Sequence, residues 1–316
     1  MNKRTTTRPM ENLLVANEKG GIGKTSLSYC LANCLTTLGY QVLLVDMDPS
    51  GHLSNACTET VPELTLSDVF DEKVPLTEII QKTAIADIAP TVQDKGKKSL
   101  TRISTGMVGV MGSEYSLLKI LRKSKDYDLN EYYDFCIIDS GPSNSNLTTN
   151  AIIAADTVLV PSELGSGSND GIHQFNDSVE KVREFFRTNV IIDGVVIVKY
   201  AQKHGSDRRI LPAIYESCEN LGFSCYETKI RDSSPIKSAI DDCRPILDYL
   251  SNGSGATDSM NLALEFLARR GLEPLKPFHG ITRKEDGRLT YQYPTRKNPI
   301  PEPVVAADGS ISWPTI

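Results

Sequence analysis

A glycine-rich turn between an apolar run and a helical pattern is the feature that most constrains how this chain folds. Residues 12–17 (NLLVAN) are typical of a short buried strand, and residues 24–39 repeat apolar side chains at helical spacing. The turn between them, EKGGIG, contains three glycines, which let backbone N–H groups converge without side chains in the way. A helix N-terminus directly after such a turn attracts anions. The pattern therefore predicts a strand–loop–helix unit that binds phosphate.

The turn differs from the standard Walker A motif, G-x-x-x-x-G-K-[ST]. Glu18 stands where that motif has its first glycine, and an additional lysine, Lys19, lies five residues before Lys24. We expect backbone N–H groups from Gly20 to Thr25 to hold phosphate. Lys24 is expected to reach the β- and γ-phosphates, and the Thr25 hydroxyl is expected to bind Mg²⁺.

Three aspartates follow strand-like runs. Asp46 and Asp48 end the run VLLVDMD, and Asp139 ends the run FCIID. Because the carboxyl ends of parallel strands meet at one edge of a sheet, these side chains are expected to lie beside the phosphate loop. Asp139 has the position of a Walker B carboxylate, which holds Mg²⁺. Three such aspartates beside a phosphate loop indicate a magnesium–nucleotide site better than three unrelated helix caps do.

Strand-like runs alternate with helical patterns over most of the chain. Continuous Val, Ile and Leu in these runs is typical of parallel strands that are buried on both faces. We predict an α/β fold of the P-loop NTPase type: a mostly parallel, twisted sheet with helices on both faces, in a single domain. The further predicted strands are 41–46, 134–139, 156–161, 193–200 and 224–230, and the further predicted helices are 114–124, 170–187, 207–221, 234–242 and 256–270.

Composition limits the location and the partners of the protein. The seven cysteines are scattered without a C-x-x-C pair, and several lie in apolar patterns, which favours reduced thiols in the cytoplasm. The apolar runs are too short to span a bilayer, and the basic N-terminus lacks the apolar core of a secretory signal. A net charge of −6 argues against a protein that coats nucleic acid over its whole surface, but it leaves a local basic patch open.

Four segments together resemble the ParA-type partition ATPases. They are KGGIGKT, VLLVDMDPSGH, FCIIDSGPS with TTNAIIAADTVLVP after it, and TKIRDSSPIKSAIDDCRPILDY. This family belongs to the deviant Walker A group, with the division-site regulator MinD and the nitrogenase iron protein, and the resemblance runs from about residue 12 to residue 270. It implies that Lys19 is the signature lysine, which crosses a dimer interface to the phosphates bound by the other subunit. It also implies that Asp48 positions the attacking water, that Asp46 lies near Mg²⁺, and that Ser26 lies beside the α-phosphate.

The motifs and the resemblance together define a predicted site. The predicted catalytic residues are Lys19, Lys24 and Asp48; the ATP-binding residues are Lys19, Gly20, Gly21, Ile22, Gly23, Lys24, Thr25 and Ser26; and the metal ligands are Thr25, Asp46 and Asp139.

The sequence departs from the family pattern at three places. Glu18 replaces the usual glutamine before the signature lysine, Ser50 and His52 replace a polar pair after Asp48, and Ser140 and Gly141 replace Cys-Pro after the Walker B aspartate. These changes remove no charged catalytic group, but they bear on how the loop after Asp48 senses the γ-phosphate.

The resemblance also implies a function and partners. ATP would drive homodimerisation and binding to double-stranded DNA without sequence preference, and hydrolysis, stimulated by a ParB-like centromere-binding protein, would reset the cycle. Such a protein is cytoplasmic, associated with the nucleoid and not bound to membrane. The candidate DNA-contacting residues are Arg231, which matches an arginine of the family, and Lys229, Lys237 and Lys203.

The proline content divides the chain. Residues 273–316 contain seven of the 17 prolines and show no helical period, so they are expected to be mostly extended or disordered, with one hairpin about Asp286-Gly287. The predicted organisation is a short basic arm (1–11), a deviant Walker A ATPase domain (12–272) and a proline-rich extension (273–316).

Three other functions remain open at this point. A MinD-like membrane-cycling ATPase would need a C-terminal amphipathic helix with a basic face, which the proline-rich segment does not resemble. An iron–sulfur electron donor would need two well-placed cysteines, whereas Cys136 lies in a strand pattern. A metabolic P-loop synthase would need a second polar constellation for its substrate. ATP-dependent DNA binding separates these alternatives.

Overall fold

A computed structural model describes residues 4, 7–93, 99–122, 127–142, 145–165, 167–201, 207–248, 253–292, 304–305 and 311–312. The strands are β1 Glu11–Val15, β2 Val42–Asp46, β3 Asp87–Ala89, β4 Phe135–Asp139, β5 Thr157–Ser162, β6 Ile191–Ile197, β7 Ile281–Arg283, β8 Leu289–Tyr291, β9 Val304–Val305 and β10 Ile311–Ser312. The α-helices are α1 Lys24–Thr37, α2 His52–Cys57, α3 Leu66–Phe70, α4 Leu76–Ile79, α5 Leu100–Gly106, α6 Ser116–Leu121, α7 Asn146–Ala154, α8 Ser168–Phe186, α9 Asp207–Asn220, α10 Ser234–Asp241 and α11 Ser254–Arg269.

The central sheet has the order β3-β2-β4-β1-β5-β6, and all of its neighbouring strands are parallel. The order places β1, which leads into the glycine-rich turn, directly beside β4, and β4 directly beside β2. In this register Asp46 at the end of β2 is aligned with Asp139 at the end of β4. The predicted α/β fold with a parallel sheet is confirmed, and the sheet brings the predicted carboxylates to one edge.

Helices cover both faces of the sheet because alternate side chains of each strand point to opposite sides. Leu13 lies in the core formed with α1, α2, α10 and α11, whereas Leu14 lies in the core formed with α3 to α9. Both leucines have no exposed surface. Burying each side chain of this kind stabilises the fold by roughly 1.5–3 kcal/mol, so two full cores anchor the loops at the sheet edge.

The region predicted as a strand at 224–230 is not one. It meets β6 through one isolated bridge, between Val195 and Cys225, while the N–H groups of Glu227 and Thr228 donate to the Glu265 carboxylate of α11. A side-chain acceptor here takes donors that a continuous strand ladder would use. The predicted helices from residue 114 onward are confirmed within a few residues of their predicted ends.

The proline-rich region begins with an ordered segment. The predicted hairpin about Asp286-Gly287 is confirmed as the antiparallel pair β7–β8. Asn261 of α11 exchanges hydrogen bonds with the backbone of Tyr291, and the Tyr291 ring is buried beside Phe278. The expectation of an extended or disordered segment is therefore wrong for residues 273–292, because aromatic side chains give this part an apolar face to bury.

The limits of the three predicted regions stay a prediction. Within the described ranges, no helix is both long enough and apolar enough to cross a bilayer.

Candidate nucleotide site

Two glycines give the phosphate loop its course between β1 and α1. Gly21 and Gly23 have φ angles of 72° and 91°, in the left-handed region that residues with a Cβ avoid. Gly23 is directly followed by Lys24, the first residue of α1. The free N–H groups at this helix end, with the helix dipole behind them, form a site for an anion.

Lys24 is held inside the loop. Its ammonium donates hydrogen bonds to the backbone carbonyls of Asn17 and Lys19, both at 3.1 Å, and the residue is 6% exposed. Burial lowers the pKa of Lys24, and the nearby carboxylates of Asp139 and Asp48 oppose that shift. The ammonium of Lys24 is therefore held in place by hydrogen bonds to uncharged carbonyl groups of the loop.

Asp139 has no exposed surface and lies beneath the start of α1. Its two oxygens accept hydrogen bonds from the Thr25 hydroxyl at 2.8 Å and the Ser28 hydroxyl at 3.0 Å. Burial raises the pKa of Asp139 to about 7, against the lowering effect of the two hydroxyl donors. A carboxylate and a hydroxyl in contact, close to a phosphate loop, are the oxygen donors that Mg²⁺ prefers. Sequence reasoning missed Ser28, although its place one turn after Lys24 puts it on the same helix face.

Asp46 anchors the loop that follows β2. It accepts hydrogen bonds from the Ser54 N–H at 2.8 Å, the Ser54 hydroxyl at 2.7 Å and the Asp48 N–H at 3.1 Å. Burial and the neighbouring Asp139 raise its pKa to about 8. The structure thus places Asp46 next to Asp139, as predicted from the strand ends, and gives its oxygens to the chain itself.

A cleft of about 710 Å³ opens above the loop, within the range of small-molecule sites. Asp48 lies at its edge, where its carboxylate accepts the Ser50 N–H at 2.8 Å. Gly141 lies against that carboxylate, since a Cβ at this position would be in van der Waals contact with it at 3.4 Å. Of the predicted residues, the cleft brings together Gly21, Gly23, Lys24, Thr25, Ser26 and Asp48; its other walls include Asn55, Pro142 and Asp241, which sequence reasoning did not single out.

The remaining predicted ATP-binding residues lie outside the walls of the cleft. Gly20 faces solvent beside Pro142. Ile22 is buried and borders a small cavity with Leu27 and Cys30.

Lys19 also lies outside the walls of the cleft. The Lys19 side chain is 56% exposed, and its ammonium lies 4.0 Å from the carboxylate of Glu163. Glu163 follows β5, so the rule that found Asp46 and Asp139 at strand ends could have found it as well. Glu18, the residue before Lys19, accepts a hydrogen bond from the Ser178 hydroxyl of α8 at 2.6 Å.

The described candidate DNA-contacting residues are engaged with groups of their own chain. The Arg231 guanidinium donates two hydrogen bonds to Asp258, at 2.7 and 2.8 Å, and Lys237 lies 3.1 Å from Asp232. The Lys229 ammonium lies about 6 Å from the Tyr200 and Tyr215 rings. The fourth candidate, Lys203, lies outside the described residues.

Comparison with known proteins gives one consistent picture. Residues 10–192 match the model of a family described as an AAA domain. The chain is 28% identical over 268 residues to the chromosome partitioning protein ParA of Caulobacter vibrioides, covering 84% of this chain and 96% of that protein. It is 30% identical over 264 residues to the cell division protein PomZ of Myxococcus xanthus, covering 81% and 77% respectively. Among solved structures, a variant of Cyanothece McdA in complex with ATP has a similar fold, with a TM-score of 0.70 and 21% identity over 85% of this chain and 99% of that one.

Proposed function

The chain belongs to the ParA/Soj/MinD superfamily of P-loop NTPases, a group of partition and positioning ATPases, and on that premise we propose that it is an ATP-driven switch. ATP binding joins two copies, the dimer binds double-stranded DNA without sequence preference, and hydrolysis to ADP and phosphate releases it. A ParB-like centromere-binding protein stimulates the hydrolysis. The cycle takes place in the cytoplasm, on the nucleoid.

The observation that carries this proposal is the contact of the phosphate loop with a buried carboxylate. Lys24 lies in the loop and Thr25 bonds to Asp139 beneath it, at the mouth of a cleft of about 710 Å³. A lysine for phosphate and a hydroxyl–carboxylate pair for a divalent cation are the parts that a triphosphate site needs. Thr25 and Asp139 would hold Mg²⁺, which neutralises charge on the phosphates when it is bound.

The chain's own groups then have separate tasks. The N–H groups from Gly20 to Thr25 surround the phosphates, and Lys24 contacts the β- and γ-phosphate oxygens. Asp48, at the edge of the cleft, orients the attacking water. Most of the rate enhancement would come from positioning and charge stabilisation, as is general for phosphoryl transfer.

Lys19 couples nucleotide to dimerisation in this proposal. Its side chain is exposed and lies outside the walls of the cleft, which supports a role toward the nucleotide of a second copy. A lysine supplied in trans lets ATP join two subunits, because the lysine of one subunit balances part of the phosphate charge of the ATP bound to the other.

DNA binding is proposed for the dimer as a whole, with Arg231, Lys229, Lys237 and Lys203 as candidate contacts. Phosphate contacts dominate such binding, so it should weaken steeply with salt. Arg231 would have to exchange its two hydrogen bonds with Asp258 for a DNA phosphate, which sets a cost on its release.

The decisive experiment compares DNA binding in ATP, ADP and no nucleotide. We expect the wild-type chain to shift a plain duplex at low salt in ATP alone, and light scattering to show a dimer under the same conditions. Lys19→Gln should bind ATP and remain monomeric. ATP-dependent dimerisation without any DNA shift would instead favour the metabolic P-loop synthase, and attachment to anionic vesicles would favour the MinD-like alternative.

A further inference from the structure

A second lysine contacts the phosphate loop from the side opposite the cleft. Lys199 lies two residues after the end of β6, and its ammonium donates to the Gly21 carbonyl at 2.5 Å. The same ammonium lies 2.6 Å from the Glu163 carboxylate. One side chain thus ties the phosphate loop to the residues that follow β5 and β6.

The backbone of Lys199 is held in an unusual conformation. Its φ angle is 50°, in the left-handed region that costs free energy for residues other than glycine. Such a conformation persists where the surrounding contacts determine it, and it recurs at ligand-binding sites. Here it accompanies the contacts of the side chain with Gly21 and Glu163, whereas an unconstrained surface lysine would not need it.

The contact fixes the orientation of one peptide group in the loop. In a trans peptide the C=O and the following N–H point in opposite directions, so a Gly21 carbonyl turned toward Lys199 turns the Ile22 N–H away from it. Gly21 and Gly23 border the nucleotide cleft, whereas Lys199 borders a separate small cavity together with Ile22. The Gly21 carbonyl is thus engaged by Lys199, and the Ile22 N–H on the same peptide is turned away from that lysine.

We propose that Lys199, held by Glu163, is a positioning residue that keeps the Gly21–Ile22 peptide oriented with its N–H toward the nucleotide phosphates. This inference rests on the proposed function, since it requires that the cleft binds a nucleotide. Rotation of this peptide changes ψ of Gly21 and φ of Ile22, and without the lysine the missing Cβ of Gly21 leaves its ψ little restricted. Rotation would direct a carbonyl dipole at the phosphates in place of a donor.

The test measures ADP affinity by isothermal titration calorimetry, with the full chain and Mg²⁺ present. Lys199→Met keeps the length of the side chain and removes its donors, and we expect affinity to fall about tenfold, the effect of losing one charge-assisted hydrogen bond. Lys199→Arg restores the donor and should return affinity to within about threefold of wild type. Glu163→Gln, which removes the charge that holds Lys199, should give an intermediate loss.

Two measurements separate orientation from a general loss of charge or of stability. Lys73→Met removes an exposed lysine that pairs with Asp71 and lines neither the cleft nor the small cavity, and it should bind ADP like wild type. The melting temperature of nucleotide-free Lys199→Met should match wild type, while the ADP-induced shift of the Ile22 amide resonance should shrink.

Two outcomes would overturn the proposal: unchanged ADP affinity in Lys199→Met, or an equal loss in Lys73→Met. Wild-type chain that binds no nucleotide would remove this inference and the proposed function together. Wild-type chain that binds nucleotide but neither dimerises nor binds DNA would remove the proposed switch alone, and the role of Lys199 would stand.

Discussion

Buried carboxylates at the two ends of the central strands have different hydrogen-bond donors. At the amino end, Glu11 at the start of β1 accepts hydrogen bonds from the Arg270 guanidinium at 2.6–2.9 Å, and Arg270 also contacts Asp193 at 3.3 Å. At the carboxyl end, the oxygens of Asp139 and Asp46 accept hydrogen bonds from hydroxyl and backbone N–H groups. The first arrangement pairs the carboxylates with a cation of the chain, whereas the second surrounds them with neutral donors.

The pKa directions follow from this difference. Burial alone would raise the pKa of Glu11, but the hydrogen bonds and charge of Arg270 outweigh it and hold the pKa below its usual value. Burial raises the pKa of Asp139 to about 7 and that of Asp46 to about 8. One edge of the sheet therefore gains stability from its carboxylate, whereas the other holds carboxylates that a cation would stabilise.

The largest expected change in the free energy of unfolding comes from removing Arg270 at the amino end of the strands. Arg270→Met leaves the buried carboxylates of Glu11 and Asp193 without their guanidinium, and we expect unfolding free energy to fall by about 3–5 kcal/mol in urea denaturation. Arg283→Met, which removes an arginine from an exposed ion pair with Glu273, is the matched control and should cost less than about 1 kcal/mol. Equal losses in the two variants would remove the distinction between the edges.

At the carboxyl end of the strands we expect a substitution to raise the stability of the nucleotide-free protein. Asp139→Asn removes a buried charge while its amide can still accept from one hydroxyl and donate to the other, so the nucleotide-free protein should gain about 1 kcal/mol of stability. The same variant should lose most of the stabilisation by Mg-ATP, because the carboxylate that would hold the cation is gone. Thermal melts with and without Mg-ATP measure both effects. A variant less stable than wild type without ligand would show that Asp139 is structural.

The pH dependence of stability should also differ in sign between the edges. Between the unfolded aspartate pKa of about 3.9 and the folded values of about 7 and 8, the folded chain binds more protons at Asp139 and Asp46 than the unfolded chain does. The free energy of unfolding should therefore fall as pH rises from 5 to 8. The Glu11 contribution, with a lowered pKa, is present above the unfolded glutamate value and is lost as pH falls below it.

Urea titrations of the nucleotide-free chain across this range measure the slope. In Asp139→Asn the slope should become shallower, because one of the two titrating groups is gone. A wild-type chain whose stability rises steadily from pH 5 to 8 would contradict the assignment of uncompensated charge to the carboxyl edge.

The local parts of the fold and site can be predicted from sequence, and the parts built by tertiary contact cannot. Lys24 and Thr25 are predictable because a strand, three glycines and a helix follow one another directly. The helices α2 to α5 escape prediction because they are four to seven residues long, too short to display a helical period. The position of Lys199 against the phosphate loop cannot be predicted, since nothing in its neighbours along the chain indicates a contact with Gly21.

The smallest expected effect concerns Glu18, a carboxylate beside the phosphate loop. It is neither paired with an arginine, as Glu11 is, nor fully buried, as Asp46 and Asp139 are. It is partly exposed and bonds to the Ser178 hydroxyl, so its charge is screened by water and needs no ligand. Glu18→Gln, which restores the residue usual in the family, keeps the acceptor and should change unfolding free energy by less than about 0.5 kcal/mol. ADP affinity, measured by calorimetry beside Ser178→Ala, should stay within about twofold of wild type. A tenfold gain in ADP affinity in Glu18→Gln would mean that the Glu18 carboxylate repels the phosphates. The phosphate loop would then contain a carboxylate that acts on the nucleotide, in addition to Asp46 and Asp139 at the strand ends.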